Sequence, residues 1–438
     1  GFNNSISSST QSILFIFKNL FFTKIKKKQL FSTMHSKKRA KIINDPIYGF
    51  IEIDAGIINE LVNHTYFQRL RRISQLGLSY LVYPGAQHTR FQHALGCLHL
   101  MSKAIQQLIK KGHQISDEEQ TAIKIAILLH DIGHGPFSHA LERTLVTNIS
   151  HESLSLIYMH KLNAEFDGKL SLAIQIFQNK YKKKFLHQLV ASQLDMDRLD
   201  YLKRDSFFTG VTEGNVGVER IISMLDVKND NLVMEEKGIY SIEKFIIARR
   251  LMYWQVYLHK TVIAAENMLI QLLLRAKYLI NNSKPIYSTQ ALKIFLCNNY
   301  EVKDFEESNN LLQNFSQLDD YEIYSCLKYW SKNKDFVLSK LSTDILNRNI
   351  LKIRIQKQIF NKKIISKKIE KMMINMDISK DEASYFIFSN KVSNSLYSTN
   401  SSNINILFKN GEIKDLSKSS DQFNLEALSK TINKYFLC

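Results

Sequence analysis

The segment Ala126-Ile-Leu-Leu-His130-Asp131-Ile-Gly-His134-Gly-Pro-Phe-Ser-His139 closes an apolar run with three histidines and an aspartate inside ten residues. Imidazole and carboxylate bind divalent transition metals at neutral pH, and the same pair supplies general acid and base. Any one of these histidines alone would pass as a satisfied core residue. Their density at a glycine-containing bend points instead to a site. Two other stretches add matching side chains: Thr89-Arg90-Phe-Gln-His93 and Leu194-Asp-Met-Asp197-Arg-Leu-Asp-Tyr201-Leu-Lys-Arg-Asp205. The inventory His93, His130, Asp131 and Asp197 suits Mn, Fe, Co, Ni or Zn better than Ca. One such ion with open positions would polarise a phosphoryl oxygen or activate a water. His134, His151 and Glu142 stand by as proton-transfer groups.

Helices must deliver these groups. Thr89 and Gln92 form a capping box, so Arg90 and His93 fall in a first helical turn, where free N–H groups favour an anion. Ser116 and Glu119 cap the helix that ends at His130. Ser150-His151-Glu152 reads as another start. If residues 195–205 are helical, Asp197, Tyr201 and Asp205 share one face at i, i+4 and i+8. Upstream, Lys41 to Asp54 reads as a hairpin with turn signals at Asn-Asp-Pro and Tyr-Gly. Ile57 to Ile73 reads as one helix ending in Arg69, Arg71 and Arg72, a solvated cluster or one facing an anion. Glu243 to Leu274 reads as one long helix. On spacing alone its Arg249, Tyr253 and Tyr257 stripe is packing.

The 438 residues carry 45% hydrophobic side chains, enough for a sizeable core, with only 4 Pro and 15 Gly. That disfavours an all-β chain and favours long helices. The expected fold is mainly α: a helical core with a small N-terminal β-hairpin and a helical C-terminal lobe. We divide it into a targeting-like extension at 1–33, a core at 34–280, a helical lobe at 281–388 and a linker with a small terminal element at 389–438. Cys97, Cys297, Cys326 and Cys438 lack paired spacing and read as reduced thiols of a cytoplasmic protein. The tail's resemblance to a transit peptide leaves organellar targeting open. No stretch approaches the ~20 apolar residues of a membrane span. The net charge of +18 invites a nucleic-acid reading, but nine basic and no acidic residues precede Asp45, leaving 50 basic against 41 acidic beyond it.

The ordered pattern His … His-Asp … Asp on helices resembles the HD-domain phosphohydrolases. It is closer still to the deoxynucleoside triphosphate triphosphohydrolases among them. The segments that carry the likeness are Asn44-Asp-Pro-Ile-Tyr-Gly49, Phe67 to Gly77, Tyr83 to His93, His130 to His139 and Leu194 to Asp205. The resemblance implies His93, His130, Asp131 and Asp197 as ligands of one divalent metal (Mn, Fe, Zn, Ni, Co or Mg), with a further Mg accompanying the nucleotide. It implies His134 and His151 as catalytic histidines, with Glu142 orienting His151 where close relatives carry Asp. Arg90, His139 and Arg249 would hold the triphosphate, helped by Lys260 or Arg198. Gln75, Leu76, Tyr201, Asp205 and Tyr257 would line the deoxyribose and base pocket. The implied reaction splits the bond between the 5′ oxygen and the α-phosphorus, releasing a deoxynucleoside and intact triphosphate. The resemblance also implies a homotetramer with a nucleotide effector held by Lys41, Ile42, Asn44, Gln68, Arg71, Arg220, Arg348 and Lys352. The acid that selects guanine in some relatives has no carboxylate counterpart near Asn63-His64.

Two other readings compete. One is a different HD phosphohydrolase, a nucleotidase or phosphodiesterase. The other is a basic nucleic-acid-binding protein with an inactive core, which the intact set of histidines and aspartates argues against.

Overall fold

In the computed structural model, the described residues are 40–137, 144–146, 149–394, 403–419 and 432–438. The extension at 1–33 and the site candidates His139 and Glu142 lie outside them. The fold is mainly helical, with a two-stranded N-terminal hairpin, as expected from composition. Strand β1 (Lys41–Asp45) pairs antiparallel with β2 (Gly49–Ile53), Lys41 opposite Ile53 and Asp45 opposite Gly49. Ile51 and Ile53 point into the core while Phe50 and Glu52 face out, the alternation read from sequence.

The helix expected over 57–73 is interrupted. Helix α1 (Ile57–Asn63) ends where His64 turns extended. His64 then caps the next turn, its Nδ1 accepting from the Tyr66 N–H at 3.2 Å, and a 3₁₀ turn follows over Arg69–Arg72. A side chain that caps a new start competes with continuing the old helix. Helix α2 (Arg90–Lys110) begins at the Thr89–Gln92 capping box, the Thr89 N–H donating to Gln92 Oε1 at 2.8 Å. Helix α3 (Asp117–Leu129) begins at the Ser116–Glu119 box. Helix α4 (His151–Glu165) and α5 (Met196–Thr209) complete the core, with α2 packed against both α3 and α5. Apolar faces of α2 and α3, including Leu98, Met101, Ile123 and Ile127, are buried at the centre.

The single helix expected over 243–274 is two. Helix α6 (Ile239–Met252) runs into a π-helical turn at Tyr253–Tyr257, and α7 (Lys260–Asn281) starts after His259. The Leu258 N–H reaches back five residues to the Tyr253 carbonyl at 2.7 Å. Such bulges recur at functional sites, because they re-aim side chains without ending the helix. The C-terminal lobe is helical, including α8 (Asp320–Trp330), α9 (Phe336–Leu346) and α10 (Lys362–Met376).

Two further sheets carry the chain's second half. Strands β3 (Leu225–Lys228) and β4 (Asn231–Glu235) form a hairpin that β7 (Asn405–Leu407) extends in parallel, with β8 (Ile413–Asp415) outside it. Strand β9 (Ile432–Leu437) lies between β5 (Arg354–Gln356) and β6 (Ser389–Asn394). The stretch expected to be linker from 389 thus starts as a strand. Among the described residues no helix is long and apolar enough to cross a membrane.

Candidate active site

Helices α2, α3 and α5 meet where the sequence placed its donors. His93 comes from the first turn of α2, His130 and Asp131 from the end of α3, and Asp197 from the first turn of α5. Asp195 caps α5, accepting from the Arg198 N–H at 2.7 Å and the Ser192 N–H at 2.8 Å, and so sets the direction in which Asp197 leaves the helix. His93 Nε2 lies 3.1 Å from Asp197 Oδ1 and 3.7 Å from Asp131 Oδ2. His130 Nε2 lies 3.4 Å from Asp131 Oδ1 and 3.6 Å from Asp197 Oδ1. Donors bound at ~2.1 Å to one ion stand about 3.0–3.4 Å apart in octahedral or tetrahedral shells. The observed spacing therefore fits a divalent ion. His130 Nε2 is buried and has no hydrogen-bond partner among the described residues, as a ring nitrogen kept for a metal would be.

The tautomers agree. His130 Nδ1–H donates to the Ile127 carbonyl at 2.7 Å, and His93 Nδ1 faces Asp200 Oδ2 at 2.7 Å. Both rings thus turn Nε2 inward toward the carboxylates, with the outer nitrogen oriented by an acceptor. Asp200, absent from the sequence-derived set, is in turn gripped by Arg204, Nε to Oδ2 at 2.9 Å and Nη2 to Oδ1 at 3.0 Å. Cys97, one turn beyond His93, is buried in the same cluster. Its Sγ is 3.6 Å from both nitrogens of the His93 ring. Cys97 Sγ also lies within 4.8 Å of donor atoms of His93, His130 and Asp197, but a sulfur equidistant from both ring nitrogens is off the Nε2 axis and packs against the ring.

The turn after α3 is held rigidly. The His130 carbonyl accepts from Ser155 Oγ at 2.7 Å, and Ser155 Oγ accepts from the Gly133 N–H at 2.9 Å. A Cβ at Gly133 would lie 2.2 Å from the His151 carbonyl oxygen, so only glycine lets α4 approach this closely. The approach stacks His151 on His134, ring centroids 3.8 Å apart. His134 Nε2 is 3.3 Å from Asp131 Oδ1. Burial, and then the Arg90 guanidinium, push the His134 pKa well below its usual value, so this imidazole is neutral. Burial raises the Asp131 carboxyl, but His130, His134 and Arg90 together hold it well below the carboxylate range. Asp197 is likewise raised by burial and brought below its ordinary value by His130 and His93.

Arg69 is no part of a solvated cluster. It is buried, donating to the Ile132 carbonyl at 3.1 Å and the His134 carbonyl at 2.7 Å, and so ties down the same turn. Arg71 stacks on Phe91 and bonds Gln68, while Arg72 pairs with Asp319.

Of the candidate pocket residues, Tyr201 and Tyr257 meet edge to face at 6.1 Å. Tyr257 donates its hydroxyl to Asp205 Oδ2 at 2.7 Å, and His88, unnoticed in the sequence, holds the other oxygen at 2.7 Å. Arg90 is engaged by Asp131. Arg249 donates from Nη1 to Gln193 at 2.9 Å, and its buried Nε has no hydrogen-bond partner among the described residues. Gln75 follows Ser74, its buried Oε1 also without a partner among the described residues. Leu76 packs on the core. Arg198 pairs with Asp195, and Lys260 is exposed at the start of α7. Of the effector candidates, Lys41, Ile42 and Asn44 are exposed on β1, Gln68 and Arg71 pair with each other, Arg220 reaches the Lys237 carbonyl, Arg348 reaches the Leu81 carbonyl, and Lys352 is exposed.

Comparison with known proteins agrees with this geometry. The HD domain family matches residues 90–205, and the HD associated region matches residues 216–294. An uncharacterised Bacillus subtilis protein, YwfO, is 33% identical over 322 residues, 71% of this chain and 71% of that one. A Dictyostelium discoideum deoxynucleoside triphosphate triphosphohydrolase SAMHD1 homolog is 32% identical over 253 residues, 53% of this chain and 49% of its own length. Among solved structures, a phosphohydrolase from Bacteroides thetaiotaomicron superposes with a TM-score of 0.89 at 52% identity, covering 91% of this chain and 99% of that one. The chain belongs to the HD-domain phosphohydrolases.

Proposed function

We propose that this chain hydrolyses deoxynucleoside triphosphates to deoxynucleoside and inorganic triphosphate. The observation that carries the reading is the shared face of α5. Asp197 is a metal donor, and Tyr201 and Asp205 lie about 6 and about 12 Å further along the same helix. A phosphate at the donor cluster would thus have its sugar and base laid along Tyr201, Tyr257 and Asp205. Tyrosine packed beneath a 2′ carbon rejects an added hydroxyl by clash. Arg249, whose buried Nε is unpartnered among the described residues, would take an anionic oxygen.

A divalent ion bound by His93, His130, Asp131 and Asp197 would withdraw charge from the α-phosphoryl oxygen. His134, neutral and lodged against Asp131, accepts the proton of the attacking water. His151, with Glu152 Oε1 3.2 Å from its Nε2, gives a proton to the departing 5′ oxygen. One P–O bond forms to water, one breaks to the sugar, and the triphosphate leaves intact. By the same likeness we assign Lys41, Ile42, Asn44, Gln68, Arg71, Arg220, Arg348 and Lys352 to a nucleotide effector bound between copies of a homo-oligomer.

The test is incubation of the full chain with each deoxynucleoside triphosphate, singly and in pairs, with Mn²⁺ or Mg²⁺, products read by mass. Free triphosphate supports the reading. Orthophosphate or pyrophosphate instead would assign the site to a nucleotidase or phosphodiesterase. A requirement for two nucleotides would support the effector, and a titration that alters neither oligomer size nor rate would remove it.

A further inference from the structure

The turn of the N-terminal hairpin reaches the metal centre through an unbroken buried chain. Asp45 closes β1 and caps its own turn, Oδ1 accepting from the Ile47 N–H at 2.9 Å and the Tyr48 N–H at 3.1 Å. Its Oδ2 accepts from Arg204 Nη1 at 2.8 Å. The other edge of that guanidinium grips Asp200, and Asp200 orients His93. Arg204, Asp200 and His93 are fully buried, and Asp45 nearly so. On α2, Gly96 makes room: a Cβ there would lie 1.9 Å from Asp200 Oδ1 and 2.4 Å from Arg204 Nη2. The strand that ends in Asp45 also carries Lys41, Ile42 and Asn44, all exposed.

We propose that Asp45 is a positioning residue for the metal ligand His93, acting through Arg204 and Asp200, so that the seating of the hairpin sets the strength of metal binding. The inference rests on the reading of His93 as a ligand. Its physics is charge and geometry. Two carboxylates and one guanidinium leave a net single negative charge behind the His93 Nδ1–H. That charge strengthens the imidazole as a donor, as the carboxylate of a carboxylate–histidine–metal triad does. Removing the Asp45 charge leaves Arg204 balanced by Asp200 alone, whose oxygens are then drawn toward the guanidinium and away from His93. It also frees the hairpin turn, which is otherwise anchored to α5. Anything that lifts β1 from outside would pull the same chain.

The experiment measures Mn²⁺ affinity of the full chain by calorimetry, with Co²⁺ absorption as a second reading. Loss of an outer-shell partner weakens metal binding by about 10- to 100-fold, and Asp45→Asn, one link further out, is expected near the tenfold end. Glu52→Gln, on the exposed face of the same hairpin, should bind like wild type. In an Asp200→Asn background, Asp45→Asn should cost less than about twofold more, because the chain is already cut. Independent, multiplying losses would overturn the relay and mark Asp45 as structural only. Asp45→Glu keeps the charge and should restore affinity to within about threefold of wild type. Equal loss in the Asn and Glu variants would also overturn it. Should Asp45→Asn fail to fold, Arg204→Lys carries the same test from the next link. A wild-type chain that binds neither ion removes the ligand assignment and the relay with it. A wild-type chain that binds, beside an Asp45→Asn variant of equal affinity, removes the relay alone.

Discussion

Replacing Asp320 by Asn should stabilise the protein at neutral pH while loosening its active site. Asp320 opens α8 in the C-terminal lobe and is 5% exposed. Its Oδ1 accepts from the Phe137 N–H at 2.9 Å and its Oδ2 from the Ser74 N–H at 2.8 Å. One carboxyl thus clamps the loop after His134 and the loop that presents Gln75. Phe137 is held at φ 49°, a left-handed conformation that a side chain adopts only under constraint. Burial pushes the Asp320 pKa up to about 6, against the pull of both hydrogen bonds. An acid whose folded pKa exceeds its unfolded one contributes fully below the unfolded value and loses that contribution as pH rises through the folded value. The window is therefore about pH 4 to 6, and a shift of about two units corresponds to about 3 kcal/mol. Asn has the shape of the protonated acid and never ionises. At about pH 4 the variant should be the less stable by the about 1–3 kcal/mol of its lost acceptor, and the difference should move in its favour by about 3 kcal/mol by about pH 7. Urea unfolding followed by circular dichroism across that range reads the difference. Amide exchange at Ser74 and Phe137 should quicken for one of the two, because the amide side chain offers one acceptor for two donors. Stability curves that stay parallel across the window, or a variant less stable near pH 7, would show that the paired bonds outweigh desolvation and refute the reasoning.

Asp131→Ala should abolish metal retention after desalting and turnover with it. It should also destabilise the metal-free chain by about 3–5 kcal/mol in urea, since buried Arg90 loses its carboxylate; wild-type metal content by mass spectrometry would sink the ligand assignment. Tyr257→Phe removes the hydroxyl that satisfies buried Asp205, and a bond to a charged acceptor is worth about 1.5–3 kcal/mol, so KM for a deoxynucleotide should rise about tenfold or more with metal content unchanged. An unaltered KM would place Tyr257 outside the pocket. Cys97→Ala should keep full Co²⁺ occupancy, and the Co²⁺ protein should lack a thiolate charge-transfer band before and after the change; a band lost on substitution would put the sulfur in the donor set.

Much of the donor set was legible because it is written at helical spacing. Asp197, Tyr201 and Asp205 share a face by period alone, and the capping boxes at Thr89 and Ser116 fix where His93 and His130 emerge. Residues 57–73 and 243–274 read as continuous helices because what interrupts them is local and carried by no pattern. His64 caps a new turn, and Tyr253–Tyr257 adds one residue to a helical turn without changing its composition. The segment from 389 reads as linker because its Ser- and Asn-rich composition hides a strand. Only pairing with β9, supplied from the far end of the chain, makes Ser389–Asn394 one.

The residues that orient the donors form a different class. Asp200 meets His93 across 107 positions, Asp45 meets Arg204 across 159, and Asp320 meets Phe137 across 183. In sequence each is one acid among 41, and nothing local separates it from a solvated one. What separates them is the space they need. Gly96 sits inside a long apolar helix, where glycine costs about 1 kcal/mol against alanine. Gly133 sits between the two histidines of the core motif. Each stands where a Cβ would collide with the supporting structure, against Asp200 and Arg204 in one case and the start of α4 in the other. A glycine beside candidate ligands, in a helix or in the turn that follows one, therefore marks where the outer shell presses in. It was the one trace of that shell the sequence carried, and it shows that the oriented histidines, more than their mere presence, are what this fold is built to hold.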